Sequence, residues 1–377
     1  MAAPHRVYLI PGMFGFARLA GYDYFGHLER AIGERFADAG VRCRVQIVPT
    51  PPTASIRRRA RVAADAIHRD VAEDEGPIHL VGHSTGGLDA RLLASPSAAL
   101  ELRYEKLAWR HRLRTVATMN TPHHGTPLAS FFATVSGTRL LYALSLLTVT
   151  TLSVGGPPLT AVSSLVASLG RVDKAFGLDL RLLDGATDML LRFMGEQGRE
   201  EVRLWLDGVR QDQGGIIQIT PEGMDMFTAA VDDADDVRYG CLATASPPPA
   251  PNRFLTSVRS PYAALSATIY STLYTIASRP HRHYPCPEPS PAVAERLKEG
   301  IGRPPDERLN DGVVPTLSML WGELLWAGRA DHLDVVGHFR DDHEPAVHTD
   351  WLTCGARFGR QRFGEAMDAL SQFLLAT

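Results

Sequence analysis

Lysine is nearly absent from this chain. It occurs only at Lys106, Lys174 and Lys298, so arginine supplies 36 of the 39 basic residues. Acidic residues number 42, and the net charge of −3 leaves no electrostatic footprint for nucleic acid. The arginine bias reads as genome composition, and the cluster Arg57, Arg58, Arg59 and Arg61 as the solvated face of a helix. Cysteine is also scarce. Cys43, Cys241, Cys286 and Cys354 are dispersed, with no C-x-x-C pair, which excludes a disulfide scaffold. The amino end, MAAPHRVYLIPG, lacks a basic segment followed by an apolar one. No signal peptide is legible there, so the expected location is cytoplasmic, or elsewhere if a leader has been removed. No internal repeat is visible.

Charge is missing from two long stretches. Residues 140–170, between Arg139 and Arg171, form a run of 31 without a charged side chain, and 260–278 form one of 19. A membrane span needs about 20 consecutive apolar residues. The first run is broken by Gly155, Gly156, Pro157 and Pro158, which favours two short helices, 140–154 and 159–170, joined by a turn. Serine and threonine recur through the second. Both runs are expected as surface-seeking helices that do not span a membrane. Buried core helices are the plainer alternative, and a mobile lid or lipid-facing surface the sharper one.

What is present is an ordinary globular composition, 45% hydrophobic over 377 residues, enough for one large domain or two. Short apolar runs at 7–10, 45–48, 78–81, 115–119 and 237–243 read as strands. Residues 27–39, stopped by Gly40, read as a helix, as do 55–74, with Ile56, Ala60, Ala63, Ile67 and Val71 on one face. Residues 361–375 read as a closing helix. Strands alternating with helices predict an α/β fold with a parallel sheet covered on both faces. The alternation fades between 126 and 236.

The chemistry sits at Gly82-His83-Ser84-Thr85-Gly86-Gly87, between the strand at 78–81 and a helix at 87–94. This is G-x-S-x-G in the strand–turn–helix setting that an exposed serine nucleophile needs. A β-carbon at 82 or 86 would collide with neighbouring strand or helix. The helix that follows aims its first N–H groups at the same point, where an oxyanion would be stabilised. The alternative is an ordinary strand–helix turn. In this setting an acid and a base follow in the order Ser, Asp/Glu, His. Asn310-Asp311-Gly312 looks like a turn after a strand, and His332, His338, His343 and His348 all lie late, so order alone does not choose among them. The oxyanion donors are expected to be the N–H groups of Thr85 and Met13, the latter in the loop Pro11-Gly12-Met13-Phe14.

These blocks together resemble bacterial triacylglycerol lipases of the pseudomonad type, within the α/β-hydrolase superfamily. Pro11-Gly-Met-Phe-Gly-Phe16 resembles the H-G-M-L-G-F block, Asp23-Tyr-Phe-Gly26 the D-Y-W-F-G block, and Thr121-Pro-His-His-Gly-Thr126 the A-P-H-x-G-S block. Thr220-Pro-Glu-Gly-Met224 resembles the block before a late strand. Asn310-Asp-Gly312 and Asp331-His-Leu-Asp334 resemble the acid and base blocks.

The resemblance implies an α/β-hydrolase core over 1–126 and 237–377. A cap or lid insertion would occupy 127–236, with 252–300 as a further candidate part. It also implies a triad of Ser84, Asp311 and His332. The implied activity is carboxylester hydrolysis of acylglycerols or other apolar esters through an acyl-enzyme. A short-chain esterase or an acyltransferase would use the same triad, and a non-catalytic membrane-docking module is the contrasting reading. The implied partners are an apolar ester and, through the lid, a transient lipid surface.

No cofactor is required by this chemistry. The family's structural calcium points to Asp334, but Thr256 and Ser257 occupy the stretch where its partner carboxylate would lie. Pro11 stands where the family has histidine, and the family's disulfide has no counterpart.

Overall fold

The computed structural model describes residues 3–13, 18–19, 22–71, 74–154, 188, 191–192, 194–249, 261–341, 343 and 345–376. Six strands form the main sheet: β1 (His5–Ile10), β2 (Cys43–Ile47), β3 (Ile78–His83), β4 (Leu113–Met119), β5 (Arg238–Ala245) and β6 (Glu323–Arg329). Their spatial order is β2-β1-β3-β4-β5-β6, and every neighbouring pair is parallel. Leu9 lies opposite Ile47 on one side and Val81 on the other.

Such strands must be apolar on both faces, and the side chains divide accordingly. Val7, Leu9, Val81, Ala117 and Met119 enter one core with helix α1 (Gly26–Asp38) and the closing helix. Tyr8, Ile10, Leu80 and Val116 enter the other, with α2 (Ile56–Asp70) and α3 (Thr85–Ala94). The helix predicted at 27–39 is α1, and Gly40 at φ +69° stops it in the left-handed conformation.

Between β4 and β5 lie α4 (Pro127–Phe132), α5 (Val135–Val154), α6 (Glu196–Gln211), α7 (Gly214–Gln218) and α8 (Pro221–Ala230). Among the described residues, α9 (Pro261–Ala277), α10 (Pro291–Ile301) and α11 (Arg360–Leu375) follow β5. Proline at the first turn with a hydroxyl cap starts α4, α8 and α10. Thr126, Thr220 and Ser290 accept from the N–H groups of Leu128, Gly223 and Val293. The stretch 320–326, mixed in sequence, contains the start of β6. Asn310 and Pro315 form an isolated bridge after α10, so the Asp311 turn does not follow a strand.

The two uncharged runs differ from their surface-seeking expectation. In α5, Leu141, Leu144, Leu146 and Val149 are buried, and so are Ser145 and Thr148. The hydroxyls of Ser145 and Thr148 donate back to the carbonyls of Leu141 and Leu144 at 2.8 Å, which lets a polar side chain sit inside. In α9, Ile269, Tyr270, Leu273 and Tyr274 are buried, while Thr268, Thr272 and Thr275 face out. No helix among the described residues is long and apolar enough to cross a membrane. The second predicted helix, 159–170, lies outside the described residues.

Candidate active site

Ser84 stands between β3 and α3 at φ 54°, ψ −129°. This sparsely populated backbone region costs a non-glycine residue about 1–3 kcal/mol. The turn is fixed by two bonds: Ser84 N–H donates to the Met119 carbonyl at 2.8 Å, and Gly87 N–H to the Ser84 carbonyl at 3.1 Å. Glycine is obligatory on both sides. A β-carbon at 82 would stand 2.3 Å from the Gly86 carbonyl oxygen, and one at 86 would stand 2.1 Å from that of Ile10. Ser84 is the N-cap residue of α3, yet its hydroxyl makes no cap bond. The hydroxyl is therefore left for other chemistry at the positive end of a helix.

The Asp311 carboxylate is wholly buried. Its Oδ1 accepts from the N–H groups of Val313 (2.8 Å) and Val314 (2.7 Å), and its Oδ2 from His332 Nδ1 at 2.6 Å. The bond to Asp311 fixes the His332 proton on Nδ1 and leaves Nε2 as a base. The other late histidines are occupied elsewhere. His338 Nε2 donates to the Tyr24 carbonyl, His343 Nδ1 meets Asp341, and His348 Nδ1 donates to the Gly337 carbonyl.

One pocket is lined by Ser84, His332, Met13 and Thr85 together. The predicted oxyanion donors thus border the same space as the predicted nucleophile and base. Most of the remaining lining is apolar: Leu128, Ala129 and Phe132 of α4, Leu144 of α5, Ile216 of α7, Ile219, Leu273 of α9, and Trp351. Thr148 also lines it, and its hydroxyl accepts from Trp351 Nε1 at 2.9 Å.

Three functional contributors were not legible as such. Arg59 is the first, and its reading as a solvated residue is corrected: it is fully buried. Its Nε donates to Asp89 at 2.9 Å, Nη2 to the Pro11 carbonyl at 2.5 Å, and Nη1 to the carbonyls of Pro51 and Pro52. Arg59 therefore holds the loop carrying Met13 from below, where Pro11 offers no polar side chain. Its position three after Ile56 and four before Ala63 was the available signal. Asn120 and His83 are the others, and both donate to the His332 carbonyl, at 3.3 and 2.8 Å.

Around Asp334 the described side chains offer a metal two carboxylates and a thiol, and Asp331 Oδ2 is buried without a hydrogen-bond partner. Asp331, Asp334 and Cys354 bring one ligand atom each within 4.8 Å of one another. Calcium takes six to eight oxygens, and a thiol is a soft donor. Asp331 Oδ1 is already bonded to the N–H groups of Leu333 and Asp334, and Asp334 Oδ2 to that of Asp331. Burial first, then the charge of Asp350 on Asp331 and of Asp331 on Asp334, hold both carboxyls well above the usual carboxylate range.

The parallel sheet, its helices on both faces and the elbow after β3 define an α/β-hydrolase fold. Among solved structures, the chain is similar to lipase 1 from Pelosinus fermentans, with TM-score 0.53, 16% identity, and 99% of each chain covered. It is similar to Staphylococcus hyicus lipase, with TM-score 0.53, 15% identity, and 99% of this chain and 95% of that one covered. It is also similar to EstA from Clostridium botulinum, with TM-score 0.51, 16% identity, and coverage of 98% and 88%. No protein-family model matches the chain, and no curated protein does.

Proposed function

We propose that this chain is a serine carboxylester hydrolase acting on apolar esters, acylglycerols among them. The observation that carries the reading is one shared pocket. Ser84 on its strained turn and His332, which is bonded to the buried Asp311, border it, and the rest of its lining is mostly apolar. In this reading His332 Nε2 takes the Ser84 proton as Oγ attacks the ester carbonyl. The N–H groups of Met13 and Thr85 stabilise the oxyanion. His332 then returns the proton to the leaving alcohol, and Asp311 stabilises the charged imidazole in between. Water, activated by the same imidazole, releases the acid and restores Ser84. The lipases of Pelosinus fermentans and Staphylococcus hyicus share the fold, and the sequence blocks resemble pseudomonad lipases; both support the reading.

The described residues of 127–236, with α9, form the cap of this proposal and the surface that meets lipid. An apolar wall favours long acyl chains, since burial adds about 0.8 kcal/mol per methylene. The test is hydrolysis of p-nitrophenyl esters across a chain-length series by the wild-type chain and by Ser84→Ala. Turnover that survives in Ser84→Ala overturns the nucleophile. A maximum at acetate or butyrate with no gain on emulsions makes it a short-chain esterase. Diversion of the acyl group to an added alcohol makes it an acyltransferase.

A further inference from the structure

We propose that His83 and Tyr24 are positioning residues for the base: a neutral imidazole, fixed in one tautomer by the Tyr24 hydroxyl, holds the His332 carbonyl and so aims the His332 ring at Ser84. The inference rests on the serine-hydrolase reading above.

Bonding fixes each proton. The His332 carbonyl can only accept, so His83 Nε2, 2.8 Å away, carries hydrogen. His83 Nδ1 is then an acceptor, and the Tyr24 hydroxyl donates to it at 2.9 Å. The relay continues behind Tyr24. His338 Nε2 donates to the Tyr24 carbonyl at 3.0 Å, and the Tyr22 hydroxyl meets His338 Nδ1 at 2.9 Å. His83, Tyr24 and His338 are all buried. Burial lowers His83 well below the ordinary imidazole range and pushes the Tyr24 phenol upward. Each group therefore keeps the protonation state that the chain of bonds requires. The titratable groups facing His83 are Tyr24, His332 and His338.

The placement gives the relay a task. Ser84 follows β3 and His332 follows β6, with two strands between them. The Asp311 bond restrains the His332 ring at Nδ1 only. His83 is the residue beside the nucleophile, and its bond ties the nucleophile's own turn directly to the backbone of the base. Asn120 adds a longer bond to the same carbonyl, at 3.3 Å. Both ring nitrogens of His83 are engaged, so it has no lone pair to offer Ser84.

The test uses the full chain with p-nitrophenyl esters and the variants His83→Leu, His83→Gln and Tyr24→Phe. His83→Leu is expected to lower kcat on the order of 100-fold, the effect of a small misplacement of a reacting group. KM should stay near its wild-type value, whereas a merely pocket-shaping role would move KM instead. Glutamine can both donate and accept, and should restore most of kcat. Tyr24→Phe should lower kcat by about tenfold, the loss of one bond that fixes the tautomer. The acid limb of the kcat/KM profile should persist in His83→Gln, because His83 is not itself the base.

Absence of ester turnover in the wild-type chain would strike the hydrolase reading itself. With wild-type turnover established, an unchanged kcat in folded His83→Leu would overturn the positioning role. So would a folded His83→Gln that fails to recover activity or loses the acid limb. Should His83→Leu not fold, Tyr24→Phe decides alone, and wild-type kcat there ends the proposal.

Discussion

The two sides of the pocket are held by different forces. On the sheet side, Ser84, Asp311 and His332 are fixed by backbone sterics and short directional bonds. The Asp311 carboxylate alone takes three, at 2.6, 2.7 and 2.8 Å. On the wall side, Leu128, Phe132, Leu144, Ile216 and Leu273 meet through side-chain contacts that carry no direction, and Thr148 adds directional bonds to Trp351 and to the Leu144 carbonyl. Hydrophobic burial fixes how much is covered but not where an atom points. The difference separates tasks: an acid–base pair fails when displaced by an ångström, while an acyl pocket needs only volume and dryness.

The sharpest way to break this contrast is to damage one directional bond without changing shape. Asp311→Asn keeps the side chain's outline but cannot hold His332 in the same tautomer. The expected loss in kcat is on the order of 10⁴-fold, with little change in thermal stability. A loss under tenfold, measured on a soluble p-nitrophenyl ester, would show that the Asp311–His332 bond does not set the base.

The wall should answer differently. Leu273→Ala removes apolar volume from the pocket and leaves the three proposed triad residues unaltered. Truncating a buried leucine costs about 2–5 kcal/mol of stability, so the melting temperature should fall. The chain-length optimum should move toward longer acyl groups, with selectivity changing by about 10-fold or more per methylene accommodated. Turnover of the shortest ester should hold. A fall on all esters alike would mean that the wall also positions the chemistry.

This contrast also explains what could be read from the sequence. The elbow was legible because its constraint is local: six residues carry Gly82, Ser84 and Gly86, and the collisions that demand glycine arise within that turn and the strand beside it. Five strands of the sheet were legible because each is a short apolar run, whereas β6, mixed in sequence, was not. The choice of His332 over His338, His343 and His348 was not in the residues themselves. It is a contact between positions 21 apart, and the motif resemblance supplied it. Arg59 was misread because a charge on a helix is usually solvated, although its spacing from Ile56 and Ala63 put it on the buried face. His83 and the wall could not be read. Trp351 meets Thr148 across 203 residues, and Ile216 belongs to a five-residue helix too short for a periodic signal. Pairings of that kind depend on the finished fold.

The smallest effect concerns pH, and it tests where the contrast ends. The desolvated imidazoles, buried or half-buried, are on the sheet side. Desolvation lowers His79 and His338 to about 3, and His27 and His124 to about 4, with His83 and His123 also well below the ordinary value. Below pH ~6.5 the unfolded chain binds protons that these folded rings refuse, so stability falls as pH drops through that value. Asp89, raised to about 6 by burial, and the raised Glu29, Asp331 and Asp334 act in the opposite sense, but eight lowered imidazoles, His5 and His348 included, outnumber four carboxyls. The melting temperature should therefore fall between pH 7 and pH 5. His79 is a clean probe: its Nδ1 meets the Thr115 hydroxyl at 2.8 Å and its Nε2 meets His5, away from the pocket. His79→Gln should lower stability at pH 7 and flatten the acid slope by at most ~1.4 kcal/mol per pH unit, one proton's worth. Ester turnover at pH 7 should be unchanged. A slope as steep as wild type would place the acid sensitivity elsewhere. The uncharged described stretches of α5 and α9 offer no carboxylate or imidazole to carry it, so the remaining sheet-side imidazoles would be the next groups to replace.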